Sequence, residues 1–137
     1  MTERNFTILE LVLAAAESIT TVDHGDIPES SNGLTVQCIF TRVGGGTTAK
    51  AYLQTTLDDG TTWFDIASFS FTTTSLTNIY NLSGSTAKTT AVVPTDATLT
   101  ANTVVDGLIG TKLRAKYVTT GTYTGASALK MDIKLHN

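Results

Sequence analysis

Across 137 residues the chain has one cysteine, two prolines and one tryptophan, and only 15% of its residues are charged. The lone Cys38, inside the apolar run LTVQCIF, excludes an intrachain disulfide. Its local sequence offers no His or Arg to lower the thiol pKa, so it reads as a buried, inert side chain. The nine basic residues are scattered over a chain of net charge −3, which excludes the clustered phosphate contacts of a general nucleic-acid binder. Their closest group, Lys112, Arg114 and Lys116, alternates along one apparent strand and is expected on a single solvated face. No stretch approaches the length of a membrane span. The opening MTERNFTILELVLAAAES also departs from a secretory signal, because Glu3 sits beside Arg4 and Glu10 breaks the apolar run. The expectation is an unprocessed soluble protein made in a cytoplasm, with no membrane and no nucleic acid among its partners.

Strong helix formers such as Glu, Lys, Gln and Arg are also sparse, whereas threonine, β-branched and strand-favouring, is the commonest residue with 28 copies. Hydrophobic residues make up 41% and fall in organised runs, enough for one domain spanning 1–137 with a real core. Phe6 to Leu13 reads as a first strand, although LVLAAAES could form a helical turn. The segment DHGDIPESSNG, 23–33, reads as polar turns. Leu34 to Val43, Ala49 to Thr56 and Trp63 to Phe71 read as strands, with GGG at 44–46 ending the first of them. SLTNIYNL, 75–82, is a further candidate strand. Residues 83–107 read as a long loop, with one short strand around Ala91 to Val93.

The C-terminal stretch is the clearest. TKLRAKYVTTGTY leads through a TGAS turn into ALKMDIKLH. There Leu129, Met131, Ile133 and Leu135 face one way, and Lys130, Asp132, Lys134 and His136 the other, a strict period of two. About eight short strands joined mostly by turns imply an all-β antiparallel β-sandwich of jelly-roll type.

One stretch, TLDDGTTW at 56–63, joins two of these strands and resembles the Asp-box, a hairpin motif best known from sialidases. Its matching residues are Thr56, Asp58, Gly60, Thr62 and Trp63. Each has a folding role. Gly60 supplies positive φ, Asp58 accepts bonds from loop amides, and Trp63 covers the hairpin base. The threonines add hydroxyls on the two flanking strands. In sialidases the motif lies on the blade periphery, away from the catalytic residues, so the resemblance implies a structural turn and not an active site.

Other candidate chemistry is thin. His24 with Asp23 and Asp26 lacks a known metal-ligand spacing. Asp58, Asp59 and Asp65 could suggest paired carboxylates, but the hairpin motif accounts for Asp58 and Asp59 is expected to face solvent at the turn. No nucleophile elbow, P-loop or HExxH is present, and GGG at 44–46 lacks the helix and Lys that phosphate binding needs. The reading is of a non-enzyme with no catalytic residues, no metal and no cofactor.

Two longer segments carry a second resemblance. AYLQTTLDDGTTWFDIASFSF and GTKLRAKYVTTGTYTGASALKMDIKLH are similar to small virion proteins of tailed bacteriophages, through Tyr52 to Phe69 and Gly121 to Gly125. That resemblance implies a virion structural protein, present in repeated copies and bound to the major capsid protein or other virion proteins. A capsid decoration or cement role is favoured because the chain is one compact domain without a long helix; a neck or tail component is the alternative. The contact arms would be the N-terminal MTERNFTILEL and the 83–107 segment, unless these are an ordinary first strand and surface loop. A carbohydrate-binding module is the competing class. Trp63, Tyr52, Tyr80, Tyr117 and Tyr123 are its available aromatic residues, several of them at positions expected to be buried or paired within hairpins. Tyr80 and Tyr123 are the ones whose loss should abolish glycan retention.

Overall fold

The computed structural model describes residues 4–136, so the first three residues of the expected N-terminal arm lie outside the described residues. Ten antiparallel strands follow in order: β1 (Arg4–Val12), β2 (Glu17–Asp26), β3 (Gly33–Thr41), β4 (Gly44–Gly45), β5 (Thr48–Thr56), β6 (Trp63–Phe71), β7 (Leu76–Ser83), β8 (Lys112–Thr120), β9 (Tyr123–Thr124) and β10 (Ala128–His136). One sheet has the order β1-β10-β3-β7 and the other β2-β8-β5-β6, with β4 and β9 forming a two-residue ribbon. Setting that ribbon aside, the chain behaves as one long hairpin. β1 pairs with β10, β2 with β8, β3 with β7 and β5 with β6, and these pairs alternate between the two sheets. Eight strands so rolled are a jelly roll.

The alternation seen in the sequence explains the core. Leu129, Met131, Ile133 and Leu135 of β10 meet Leu34, Val36, Cys38 and Phe40 of β3 between the sheets, all at most 2% exposed. Leu53, Ile66, Phe69 and Leu113 face them from the second sheet. Burial, with the Asp132 charge adding to it, pushes the Cys38 thiol far above its ordinary range.

Three sequence expectations are corrected. Residues 23–26, expected to open the turn-rich segment, instead belong to the strand Glu17–Asp26; its apolar pattern is weak because β2 is an edge strand with a mostly exposed face. In it His24 stacks on Phe6 of β1, with ring centroids 3.7 Å apart, so VDHGD is not a solvated loop. Ala91 to Val93 form no strand, and residues 13–16 form no helical turn. Among the described residues no group of three or more His, Cys, Asp or Glu side chains comes together, and no helix is long and apolar enough to cross a membrane.

Each lateral side of the sandwich has guarded edge strands, although β7 on the second side pairs only with β3 and carries no register shift. On one, β1 and β2 carry register shifts at Thr7/Leu9, Glu17/Thr20 and Asp23/Gly25, which spoil the flat edge that another strand would need. On the other, the long segment between β7 and β8 runs along the edge of β6. Asp65 N–H donates to Thr95 O at 2.9 Å, Ser68 N–H to Thr103 O at 2.9 Å, and Val105 N–H to Ile66 O at 2.9 Å. The segment expected to be a free contact arm therefore occupies the backbone groups of its own domain. It also buries the outward face of β5, where Tyr52, Gln54 and Thr56 are as enclosed as the core-facing Leu53 and Thr55.

Candidate functional site

The five residues singled out in TLDDGTTW all lie on the hairpin between β5 and β6, and their polar atoms close it. Thr56 Oγ1 donates to Asp58 Oδ1 at 2.9 Å and accepts from Gly60 N–H at 3.0 Å. The same Asp58 oxygen accepts Thr62 N–H at 2.7 Å. Trp63 Nε1–H returns to Gly60 O at 3.0 Å. Asp59 and Gly60 stand at φ +61° and +98°, so the turn reverses through two left-handed residues and needs the second to be glycine or a tolerant substitute. Bonds from the Thr62 backbone and hydroxyl, with Thr56 contributing, hold the Asp58 carboxyl below the usual carboxylate range.

The three alternating cations of β8 are not on a solvated face. Lys112 Nζ reaches Asp59 at 3.1 Å and Asp26 at 4.0 Å. The Arg114 guanidinium carbon lies 4.3 Å from the centre of the Trp63 ring, while its Nε donates to Gln54 Oε1 at 2.8 Å. Lys116 Nζ pairs with Asp96 at 2.7 Å. Each ties the hairpin or the long segment to the sheet. The cation over the indole adds about 1 kcal/mol by ordinary measure.

Sequence reasoning missed the centre of this arrangement. Asp65, 1% exposed, accepts five hydrogen bonds: from Gln54 Nε2 (2.8 Å), Thr95 Oγ1 (2.8 Å) and the backbone N–H groups of Ala97 (2.9 Å), Thr98 (3.1 Å) and Leu99 (3.1 Å). A buried carboxylate is tolerated only when its lone pairs are filled, and these are. Ala97 takes φ +57° to present its amide. Gln54 also donates to Asp96 Oδ1 at 2.8 Å, so one network spans Trp63, Arg114, Gln54, Asp65, Asp96 and Lys116. The network ties the hairpin and the long segment to the sheet, and its outer members Trp63, Arg114 and Asp96 line a surface groove of about 500 Å³ with Pro94 and Thr95.

At the tip of the hairpin the surface changes character. Leu57 is 69% exposed, Val92 39% and Val93 82%. Leu57 forms the ridge between two grooves. One, of about 300 Å³, is lined by Phe64, Val92, Pro94 and Leu108 with Asp58 and Thr62. The other, of about 800 Å³, runs past Ile27, Pro28 and Ile109 with Asp26 and Glu29 at its wall. The signal available in the sequence was AVVPT, an aliphatic cluster with no alternating partners inside a polar segment.

The aromatic rings, by contrast, are turned inward. Tyr123 is 2% exposed and donates to Thr72 O at 2.8 Å, Tyr117 donates to Glu17 Oε2 at 2.9 Å, and Tyr80 packs on Phe69 with centroids 5.0 Å apart. Substituting Tyr123 would therefore test folding and not glycan retention.

Fold and site together define a small jelly-roll sandwich whose long loop is bonded onto its own sheets and which presents Leu57, Val92 and Val93 at the hairpin end, with Val12, Ile19, Val43, Leu76 and Ile79 exposed elsewhere. In comparisons with known proteins, no family model, no curated protein and no solved structure matches the chain.

Proposed function

We propose that this chain is a non-enzymatic structural protein of a tailed-bacteriophage virion, a capsid decoration protein that docks on the capsid lattice in many copies. The observation that carries the reading is the contrast between enclosed rings and exposed aliphatic side chains. Tyr52, Tyr117 and Tyr123 are buried, while Leu57, Val92 and Val93 stand out at the hairpin end and Val12, Ile19, Val43, Leu76 and Ile79 elsewhere on the surface. Glycan binding uses aromatic platforms, whereas docking between proteins uses apolar contact surrounded by polar groups. The segment similar to small virion proteins, Tyr52 to Phe69, is the one that builds this end: it contains the hairpin, Leu57 and the Asp65 anchor. Rigidity suits the role, because a preordered surface loses little entropy on docking and a lattice multiplies each modest interface.

Quantitative mass spectrometry of density-purified particles tests the proposal. A copy number near that of the major capsid protein is expected. A few copies per particle would instead make it a neck or tail component, and absence from particles would overturn the virion assignment.

A further inference from the structure

The two grooves at the hairpin tip share a feature that separates their occupants. Asp26, Glu29 and Asp58 line them, and among the described residues no Lys or Arg does. Asp59, with its side chain 88% exposed, stands just outside, and Lys112, held between Asp59 and Asp26, is the cation nearest to them by ion pairing. Asp58 is held in its charged form by its hydrogen bonds to Thr62. The aliphatic floor of Phe64, Val92, Pro94 and Leu108 thus has Asp58 at its wall, and Asp26 and Glu29 stand across Leu57 in the second groove.

We infer that this end of the sandwich receives an extended protein segment that alternates aliphatic side chains with Lys or Arg. The aliphatic residues fill the grooves on either side of Leu57, and the cations meet Asp26, Glu29 and Asp58. A second copy of the chain is the wrong occupant, since a symmetric pair would set Asp26, Glu29 and Asp58 against their own counterparts. Strand addition at three of the four sheet edges is also disfavoured, because bulges guard β1 and β2 and the 84–111 segment covers β6. The remaining edge, β7, lies away from the grooves beside Leu57. The inference deepens the proposed function by giving the chemistry of the partner segment, and rests on it only in taking that partner to be a protein.

The test uses synthetic peptides, so its outcome is independent of whether the chain is found in particles. Three short peptides are titrated into the labelled full chain and followed by two-dimensional NMR: alternating Leu and Lys, alternating Leu and Glu, and alternating Ser and Lys. Only the Leu/Lys peptide is expected to bind, shifting the amides of 57–62, 92–93 and 108–111. Leu57→Asp or Val93→Asp should weaken it about tenfold or more, and added salt should weaken it further. Both side chains are exposed, so the spectra of the variants report directly that the fold is kept. Equal binding of the Ser/Lys or Leu/Glu peptide, shifts elsewhere, or no binding at all would overturn the inference. So would self-association that Leu57→Asp abolishes, which would make a second copy the occupant.

Discussion

Asp65 and Ala97 lie 32 residues apart in sequence, yet the carboxylate of the first accepts the backbone N–H of the second at 2.9 Å in a fully buried contact. Through this bond and its four companions the edge strand β6 holds the irregular segment that covers it. Ala97 adopts a left-handed conformation that only such an over-determined setting maintains.

Replacing Asp65 by Ala leaves Gln54, Thr95 and three backbone amides without their acceptor. The expected loss is about 3 kcal/mol or more, a large part of the stability of a domain this size. Asp65→Asn should be nearly as harmful, because its amide group would set donors against donors. Urea denaturation measures the loss, and hydrogen exchange should show the amides of Ala97, Thr98 and Leu99 opening faster than those of β3. Unchanged exchange at these three would refute the anchoring role.

The carboxyls of Asp58 and Asp96 both ionise below their ordinary range, the first through Thr62, the second through Lys116 and Gln54. A depressed folded-state pKa means the fold favours the charged form. Its contribution is complete above the ordinary carboxylate value and disappears as pH falls through the depressed one. The stability gap between the parent protein and Asp58→Ala should therefore be constant from about pH 7 to about pH 5 and close progressively below about pH 4. Urea midpoints across that range are the measurement, and a gap that persists undiminished in acid would contradict it.

Two glycines with positive φ should respond differently to alanine. At Gly60, φ +98°, an added Cβ meets only the Trp63 ring at ordinary contact distances, so the cost is backbone strain of about 1 kcal/mol. At Gly46, φ +78°, the same atom would collide with the ring of buried Tyr123, and strain adds to overpacking for about 3 kcal/mol or more. Thermal unfolding of Gly60→Ala and Gly46→Ala compares them directly. Equal losses would mean that the Tyr123 contact is not what fixes Gly46.

Where the sequence was legible, a strand obeyed its own alternation. β10 shows four aliphatic residues on one face and polar ones on the other, and β3 is nearly as clear, whereas β5 and β6 are buried on both faces. The hairpin at 56–63 was also readable, because every bond that closes it joins residues at most four apart. β2 was not, because an edge strand has one neighbour and little need of an apolar face. Nor was the role of residues 84–111. Their hydrogen bonds go to β5, β6, β7, β8 and the loop before β3, at separations no local pattern encodes. Asp65 looked like any polar residue of a strand until the segment folded over it. The burial of Gln54 has the same origin.

The connectivity also sets an order of events. β10 fills the slot between β1 and β3, so neither neighbour has its full complement of hydrogen bonds until Ala128–His136 have left the ribosome. Until then the apolar faces of β1 and β3 are open to solvent and to other nascent chains. Pairing strands as distant in sequence as β1 and β10 is the slowest kind of contact to form. The cell making this protein has to keep an unfinished half-sheet from sticking, and removing residues 128–136 would leave that state permanent.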